Sequence, residues 1–169
     1  MFWDWWQSLF TDTPAYAFFN FKFLPKYGSA VIQGVEYTLI LSVVSVLLAV
    51  LPALLIATMR LSKNRPIRWL SGAYIAIFRS TPMLVQLMII YFGVFFYIPV
   101  PKVMLFGFID STRFIPGVTA LALNSAAYVA EIFRAGILAV DSGQMEAARS
   151  LGLSQKQSMQ LVILPQAIK

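Results

Sequence analysis

Twenty-three consecutive residues, Tyr37 to Met59, carry no charge. A helix needs about 20 such residues to cross the hydrocarbon core of a bilayer. In that medium only helices and closed barrels satisfy all of their own backbone polar groups. Two further runs follow. Ser80 to Pro101 holds 22 uncharged residues and Phe114 to Ala130 holds 17, with Ala135 to Val140 resuming the run after Glu131 and Arg134. Over the whole chain 59% of residues are hydrophobic and 12% charged, against about 45–50% and about 25% in soluble domains. The chain is therefore expected to be an all-α, polytopic membrane helical bundle with three transmembrane helices. Pro52 lies inside the first and is expected to kink it. Trp69 to Phe78 is also apolar, so the second helix can begin before Arg79 and break near Pro82.

The absences narrow the chemistry. There is no cysteine and no histidine. That excludes a disulfide framework, a thiolate or zinc-finger site and the usual proton shuttle. The net charge of +6 is not gathered on one patch with aromatic platforms, so it reads as a topology signal rather than a nucleic-acid footprint. Arg60, Lys63, Arg65 and Arg68 crowd the first loop with no acidic residue, whereas the second loop holds Lys102, Arg113 and Asp110. The positive-inside rule places the first loop in the cytoplasm. The N-terminus and the second loop then lie outside. Everything after Val140 lies inside, with Arg149, Lys156 and Lys169. The start of the chain, Phe2-Trp3-Asp4-Trp5-Trp6, lacks the basic region of a secretory signal. Pro14, Pro25 and Gly28 argue against a span, so residues 1–30 are expected to be an interfacial segment and 31–169 the membrane domain.

Three constellations stand out. Glu131 and Arg134 are one turn apart on one face of the third helix, Asn124 is two turns before Glu131, and Tyr128 lies between. Ionisable residues at membrane depth line a bundle interior or a water-filled path. Two readings stay open: a closed ion pair, or a translocation path whose separated charges suit a zwitterion. The second constellation runs from Phe78 to Leu87. Ser80, Thr81 and Pro82 together loosen a helix and expose backbone groups. Arg79, Thr81, Pro82 and Gln86 would then shape a gate, although the residues alone favour a plain boundary followed by a membrane helix. The third is the tail after Val140, which has the pattern of two short helices around Gly152. Ser154 and Gln157 form a capping box, and Leu151, Leu153, Leu161, Ile163 and Leu164 offer apolar contacts. Pro165 is expected to break the second helix. Ala147 and Ala148 admit a close partner, and Glu146 suits a helix N-terminus. The alternative is an amphipathic loop lying on lipid.

The order Glu146-Ala147-Ala148, three residues, Gly152, nine residues, Val162-Ile163-Leu164-Pro165 resembles the EAA loop of ATP-binding-cassette importer permeases. The single departure is Val162, where isoleucine is usual. Phe78 to Leu87 with Tyr91-Phe92-Gly93, and Leu123 to Ile137 running into Gly143-Gln144, resemble the polar amino acid branch of that family. Many relatives carry glycine where Ser80 stands.

The resemblance implies a type I importer transmembrane subunit of which about three of five core helices are present, so that the fold is C-terminally incomplete. It implies a second permease subunit, identical or similar, and an extracytoplasmic solute-binding protein that delivers an amino acid. It also implies cytoplasmic ABC ATPase subunits that bind ATP and magnesium, while this chain binds no cofactor or metal and is not itself an enzyme. Glu146, Ala147, Ala148, Gly152, Leu164 and Pro165 would shape a coupling loop at about 141–165. Asn124, Tyr128, Glu131 and Arg134 would line the path. The location implied is the bacterial inner membrane.

A secondary transporter or channel driven by an ion gradient through Glu131 is the alternative. It leaves the coupling loop without a partner. An intramembrane enzyme lacks a second carboxylate to pair with Glu131.

Overall fold

The computed structural model describes Trp3, Asp4, Gln7 and residues 24–168. Most of the expected interfacial segment therefore lies outside the described residues. The chain divides into two compact units, Met1–Leu41 and Ser42–Lys169. Helix α1, Leu24–Arg60, gives its first part to one unit and its remainder to the other.

This helix begins well before the expected Tyr37, and residues 24–30 are helical. Pro25 is its second residue, where a missing N–H costs no intrahelical bond. Gly28 and Gly34 each cost about 1 kcal/mol of helix propensity, too little to halt a long apolar helix. Within the first unit, Thr38 Oγ1 donates to the Gly34 carbonyl at 2.7 Å. Lys26 Nζ lies 5.3 Å from the centre of the Tyr27 ring.

The second unit is built around small side chains. Ala49, Ala53 and Ala57 of α1 recur every four residues, so they share one helix face. They pack with Ile75, Ala126 and Ala130 into one buried cluster, flanked by Ile56, Tyr74, Val129 and Phe133. Large apolar residues such as Leu47, Leu51 and Leu55 are exposed instead. Lipid is as apolar as leucine, so close backbone approach, not burial of bulk, holds such helices together.

Helix α2 spans Arg65–Ser80 and α3 spans Met83–Tyr97, the pair being bent by 107° at Thr81-Pro82. Arg65 and Arg68, expected in the first loop, thus belong to the first turn of α2. Pro66 favours that helix start. The plain boundary favoured by the residues alone is replaced by a corner. Beyond it, Ile89–Val94 winds as a π-helix. Among the described residues two helices are long and apolar enough to cross a membrane, or three if the bent pair counts as one span.

The second loop contains a hairpin that the sequence reading missed. β1 (Met104–Leu105) and β2 (Ile109–Asp110) pair antiparallel, with Met104 opposite Asp110. Phe106 and Gly107 both have positive φ, 53° and 81°, the signature of a type I′ turn. Ser111 ties the loop down: its hydroxyl accepts from Val103 N at 2.8 Å and donates to the Pro101 carbonyl at 2.7 Å.

Helix α4, Ser111–Ala139, then runs close to the expected bounds, and Arg113 belongs to it rather than to the loop. Asp110 is its N-cap. One carboxylate oxygen accepts from Thr112 N at 2.9 Å and from Thr112 Oγ1 at 2.6 Å. Those bonds, with Lys102 and Arg113 nearby, hold the Asp110 pKa below its ordinary value. A depressed pKa places this group's stabilisation above the unfolded-state value and removes it as pH falls through the folded one. The protection factor of the Thr112 amide, with the intrinsic pH dependence of exchange divided out, is therefore expected to fall on acidification. Asp110→Asn, still a good cap, is expected to abolish that pH dependence while keeping the turn protected.

The tail folds as α5 (Ser142–Ser150), α6 (Gln155–Ser158), a π-helical stretch Met159–Ile163 and α7 (Leu164–Ala167). Pro165 does not end the helix, contrary to expectation. The Leu164 N–H bonds back to the Met159 carbonyl, five residues earlier. That wider turn relieves the clash of a proline ring with the carbonyl four residues before it.

Candidate functional site

The corner between α2 and α3 begins as a hydrogen-bonding problem. In a continuous helix the Phe78 carbonyl would accept from residue 82, but Pro82 has no N–H. At membrane depth an unmet carbonyl is costly. Side chains meet the need. Gln86 Nε2 donates to the Phe78 carbonyl at 2.8 Å, to the Thr81 carbonyl at 3.0 Å and to Thr81 Oγ1 at 2.7 Å. Ser80 Oγ donates to the Ala76 carbonyl at 2.6 Å, and Thr81 Oγ1 to the Ile77 carbonyl at 2.7 Å. The last turn of α2 is thus capped by its own hydroxyls.

Helix α4 joins this network through Asn124. Its Nδ2 lies 2.9 Å from Gln86 Oε1 and 3.4 Å from the Phe78 carbonyl. Gln86 is 7% exposed, so a membrane glutamine with every polar atom engaged sits at the centre. The structure thus joins Thr81 and Gln86 of the expected gate to Asn124 of the expected path. Arg79 and Tyr128 meet beside it: the guanidinium carbon lies 5.4 Å from the ring centre. With Ile75, Ala76 and Ser80 they line an open hollow of about 360 Å³. The Tyr74 hydroxyl, which the sequence reading did not single out, donates to the Leu123 carbonyl at 2.6 Å and adds a second tie between α2 and α4.

Glu131 and Arg134 are closed on one another. Arg134 Nε lies 2.9 Å from Glu131 Oε1, and Nη2 donates to the same oxygen. The separated charges expected for a zwitterion are therefore not present. A spacing of three residues brings the two side chains over one turn, and in a low-dielectric medium an unpaired charge is far costlier than the pair. Asn124 turns to the corner rather than to this pair.

The tail forms the third site. Gly152 has φ of 87°. Its N–H donates to the Arg149 carbonyl at 3.0 Å, and Leu153 N to the Ala148 carbonyl at 3.2 Å. These two bonds make a Schellman motif, which ends α5 on a left-handed residue. Ser154 then caps α6 in the expected box with Gln157. Ala148, Ser158 and Ile163 are buried and fasten the loop together. Leu164 is partly buried; Glu146, Ala147, Gly152 and Pro165 are exposed.

Two of the expected apolar contacts are not made. Leu151 is 84% exposed and Leu161 66% exposed. Ala148 packs inward, so only Ala147 of the alanine pair is open to a partner. A tie within the tail and a close approach of the tail to α4 escaped the sequence reading. Gln166 Nε2 lies 3.3 Å from Gln144 Oε1. A Cβ on Gly136 of α4 would come within 2.8 Å of the Ala167 carbonyl.

Residues 45–169 match the family model of the binding-protein-dependent transport system inner membrane component, and the chain belongs to that family. It is 42% identical over 139 residues to the arginine transport system permease protein ArtQ of Bacillus subtilis, covering 82% of this chain and 59% of that one. It is 43% identical over 147 residues to the putative glutamine transport system permease protein GlnP of Rickettsia prowazekii, covering 87% and 63%. A solved structure described as an amino acid ABC transporter with histidines superposes with a TM-score of 0.72 at 45% identity, covering 86% of this chain and 63% of that one. The chain thus spans about three fifths of the length of these relatives. Its helical fold is shared with part of that amino acid ABC transporter.

Proposed function

We propose that the chain forms part of the membrane pathway of an ATP-driven importer of polar amino acids and receives its drive through the α5–α6 loop. The observation that carries this reading is the shape of that loop. Two capped helices meet at a left-handed glycine, and the buried side fixes them. Glu146, Ala147 and the apolar Leu151 are left on an open face that has no fastening role within the unit. An exposed leucine beside a rigid glycine corner suits a groove on a protein partner.

In this reading cytoplasmic ATPase subunits carry ATP and magnesium and dock on the loop. A second permease subunit completes the pathway, and an external solute-binding protein supplies the amino acid. The names of the relatives support a polar amino acid as cargo. The basic residues Arg60 to Arg68 and the loop both lie in the cytoplasm, with the N-terminus outside. Arg79, Thr81, Pro82 and Gln86 shape a gate beside Asn124 and Tyr128, and the Glu131–Arg134 pair braces α4.

Co-purification tests the reading. The tagged full-length protein, extracted from membranes in mild detergent, is expected to bring an ATPase subunit with it. Leu151→Asp is expected to lose that subunit while leaving membrane insertion unchanged. Absence of any ATPase with the unaltered protein would move the reading to an ion-driven carrier using Glu131. In the importer, Glu131→Gln leaves Arg134 without its partner charge and is expected to lower stability by about 3–5 kcal/mol if the pair is fully desolvated, and less at its partly exposed position. It is expected to leave no proton-gradient dependence to abolish; uptake driven by a pH gradient in membrane vesicles and lost in Glu131→Gln would overturn the importer reading.

A further inference from the structure

The bent pair α2–α3 invites description as a hinge, because proline breaks the backbone there. Its hydrogen bonds argue otherwise. The Phe78 carbonyl, orphaned by Pro82, and the Thr81 carbonyl are both taken by Gln86, and the Ser80 and Thr81 hydroxyls bond back to the Ala76 and Ile77 carbonyls one turn earlier. Gln86 bridges the end of α2 and the start of α3 with a single amide. Opening the corner would strip several of these acceptors at once. Asn124 is attached differently. Its short bond, 2.9 Å, goes to Gln86 Oε1, and its contact with the Phe78 carbonyl is the longer one at 3.4 Å. Withdrawal of α4 would remove the Asn124–Gln86 bond and the Tyr74–Leu123 bond at 2.6 Å, and would leave the Phe78 carbonyl satisfied by Gln86.

We propose that Gln86 is a positioning residue that makes Thr81-Pro82 a rigid corner, so that α2 and α3 move against α4 as one body, released where the Asn124–Gln86 and Tyr74–Leu123 bonds cross between them. The inference rests on the transport reading for its purpose, since it says which surface separates when the pathway opens. Its geometry stands on the hydrogen bonds alone. It differs from a proline hinge in a measurable respect: the angle across the corner stays fixed while the distance from the corner to α4 changes.

These 169 residues hold no cysteine, so paired cysteines are introduced for labelling and any cysteine elsewhere in the full-length protein is replaced by serine. Spin labels at Leu70 and Phe96 span the corner, and labels at Phe96 and Ile132 span α3 and α4; all three positions are exposed. The full-length protein is placed in lipid nanodiscs without ATPase, nucleotide or substrate, so the result does not depend on whether the importer reading holds. The corner distance is expected to be single and narrow, and to stay so in Asn124→Ala, which broadens the α3–α4 distance. Gln86→Glu keeps the shape but removes both donors, and is expected to lose the narrow corner distance.

Adding Pro82→Ala to Gln86→Glu returns a backbone N–H to the Phe78 carbonyl. It is expected to restore a narrow distance at a new value. This double variant also separates loss of the corner from general misfolding. A broad corner distance in the unaltered protein would overturn the proposal. So would equal broadening of the corner by Asn124→Ala and Gln86→Glu, or failure of Pro82→Ala to restore a narrow distance.

Discussion

Gly136→Ala is expected to unseat the last described helical turn from α4. The added methyl would lie 2.8 Å from the Ala167 carbonyl, well inside van der Waals contact. The obstacle is backbone, which cannot rotate aside as a side chain does. Overpacking of this kind costs about 1–3 kcal/mol. Gly136 has an ordinary helical conformation, so alanine would otherwise stabilise the helix by about 1 kcal/mol. The expected result is therefore specific. The helicity of α4 is kept or improved, while amide exchange in Leu164–Ala167 rises and the Gln144–Gln166 bond is lost. Gly136→Ala with unchanged exchange in that segment would show that the close approach is not maintained in the membrane.

Gly152→Val is expected to have the larger functional effect, for the opposite reason. Nothing lies within 4 Å of a Cβ built at Gly152, so there is room. The difficulty is φ of 87°, which a β-branched residue resists at about 1–3 kcal/mol. Relieving that strain breaks the Schellman bonds and swings α6 away from α5. The open face around Leu151 then loses its shape. Loss of ATPase co-purification and of transport is expected, with normal insertion. The order of severity should be valine, then alanine, then asparagine, which tolerates the left-handed region. Equal damage by asparagine and valine would indicate that the glycine's small size, not its conformation, is what matters.

These two glycines also show what a sequence can and cannot disclose. Gly152 was legible because its role is local. It follows a helix pattern, and a capping box begins two residues later. Ser154, Gln157 and the three apolar runs were legible for the same reason. Gly136 was not, because the atom it makes room for is 31 positions away and no neighbouring residue announces it. The Asn124–Gln86 bond, across 38 positions, was hidden likewise, although each residue was flagged alone as a polar group at membrane depth.

The leucines failed differently. In water an apolar residue at helical spacing points to a core. Near lipid or a partner groove the inference reverses, and Leu151 and Leu161 were assigned inward when both face out. The interior is made instead of Ala49, Ala53 and Ala57, whose spacing of four was visible but carries no hydrophobic signal. The hairpin was missed because two-residue strands fall below any periodicity, leaving Gly107 as its sole mark.

The π-helical stretches have a consequence for phase. An α-helix turns about 100° per residue, so one wider turn acts as an inserted residue and rotates everything beyond it by about that angle. After Met159–Ile163 the chain resumes as Leu164–Ala167, and this rotation sets which side of α7 meets Gly136. Deletion of the exposed Gln160 would restore α-helical winding and turn Gln166 away from Gln144 while leaving the buried Ser158 and Ile163 in the sequence. Length, independent of composition, is thus a coded quantity in this loop.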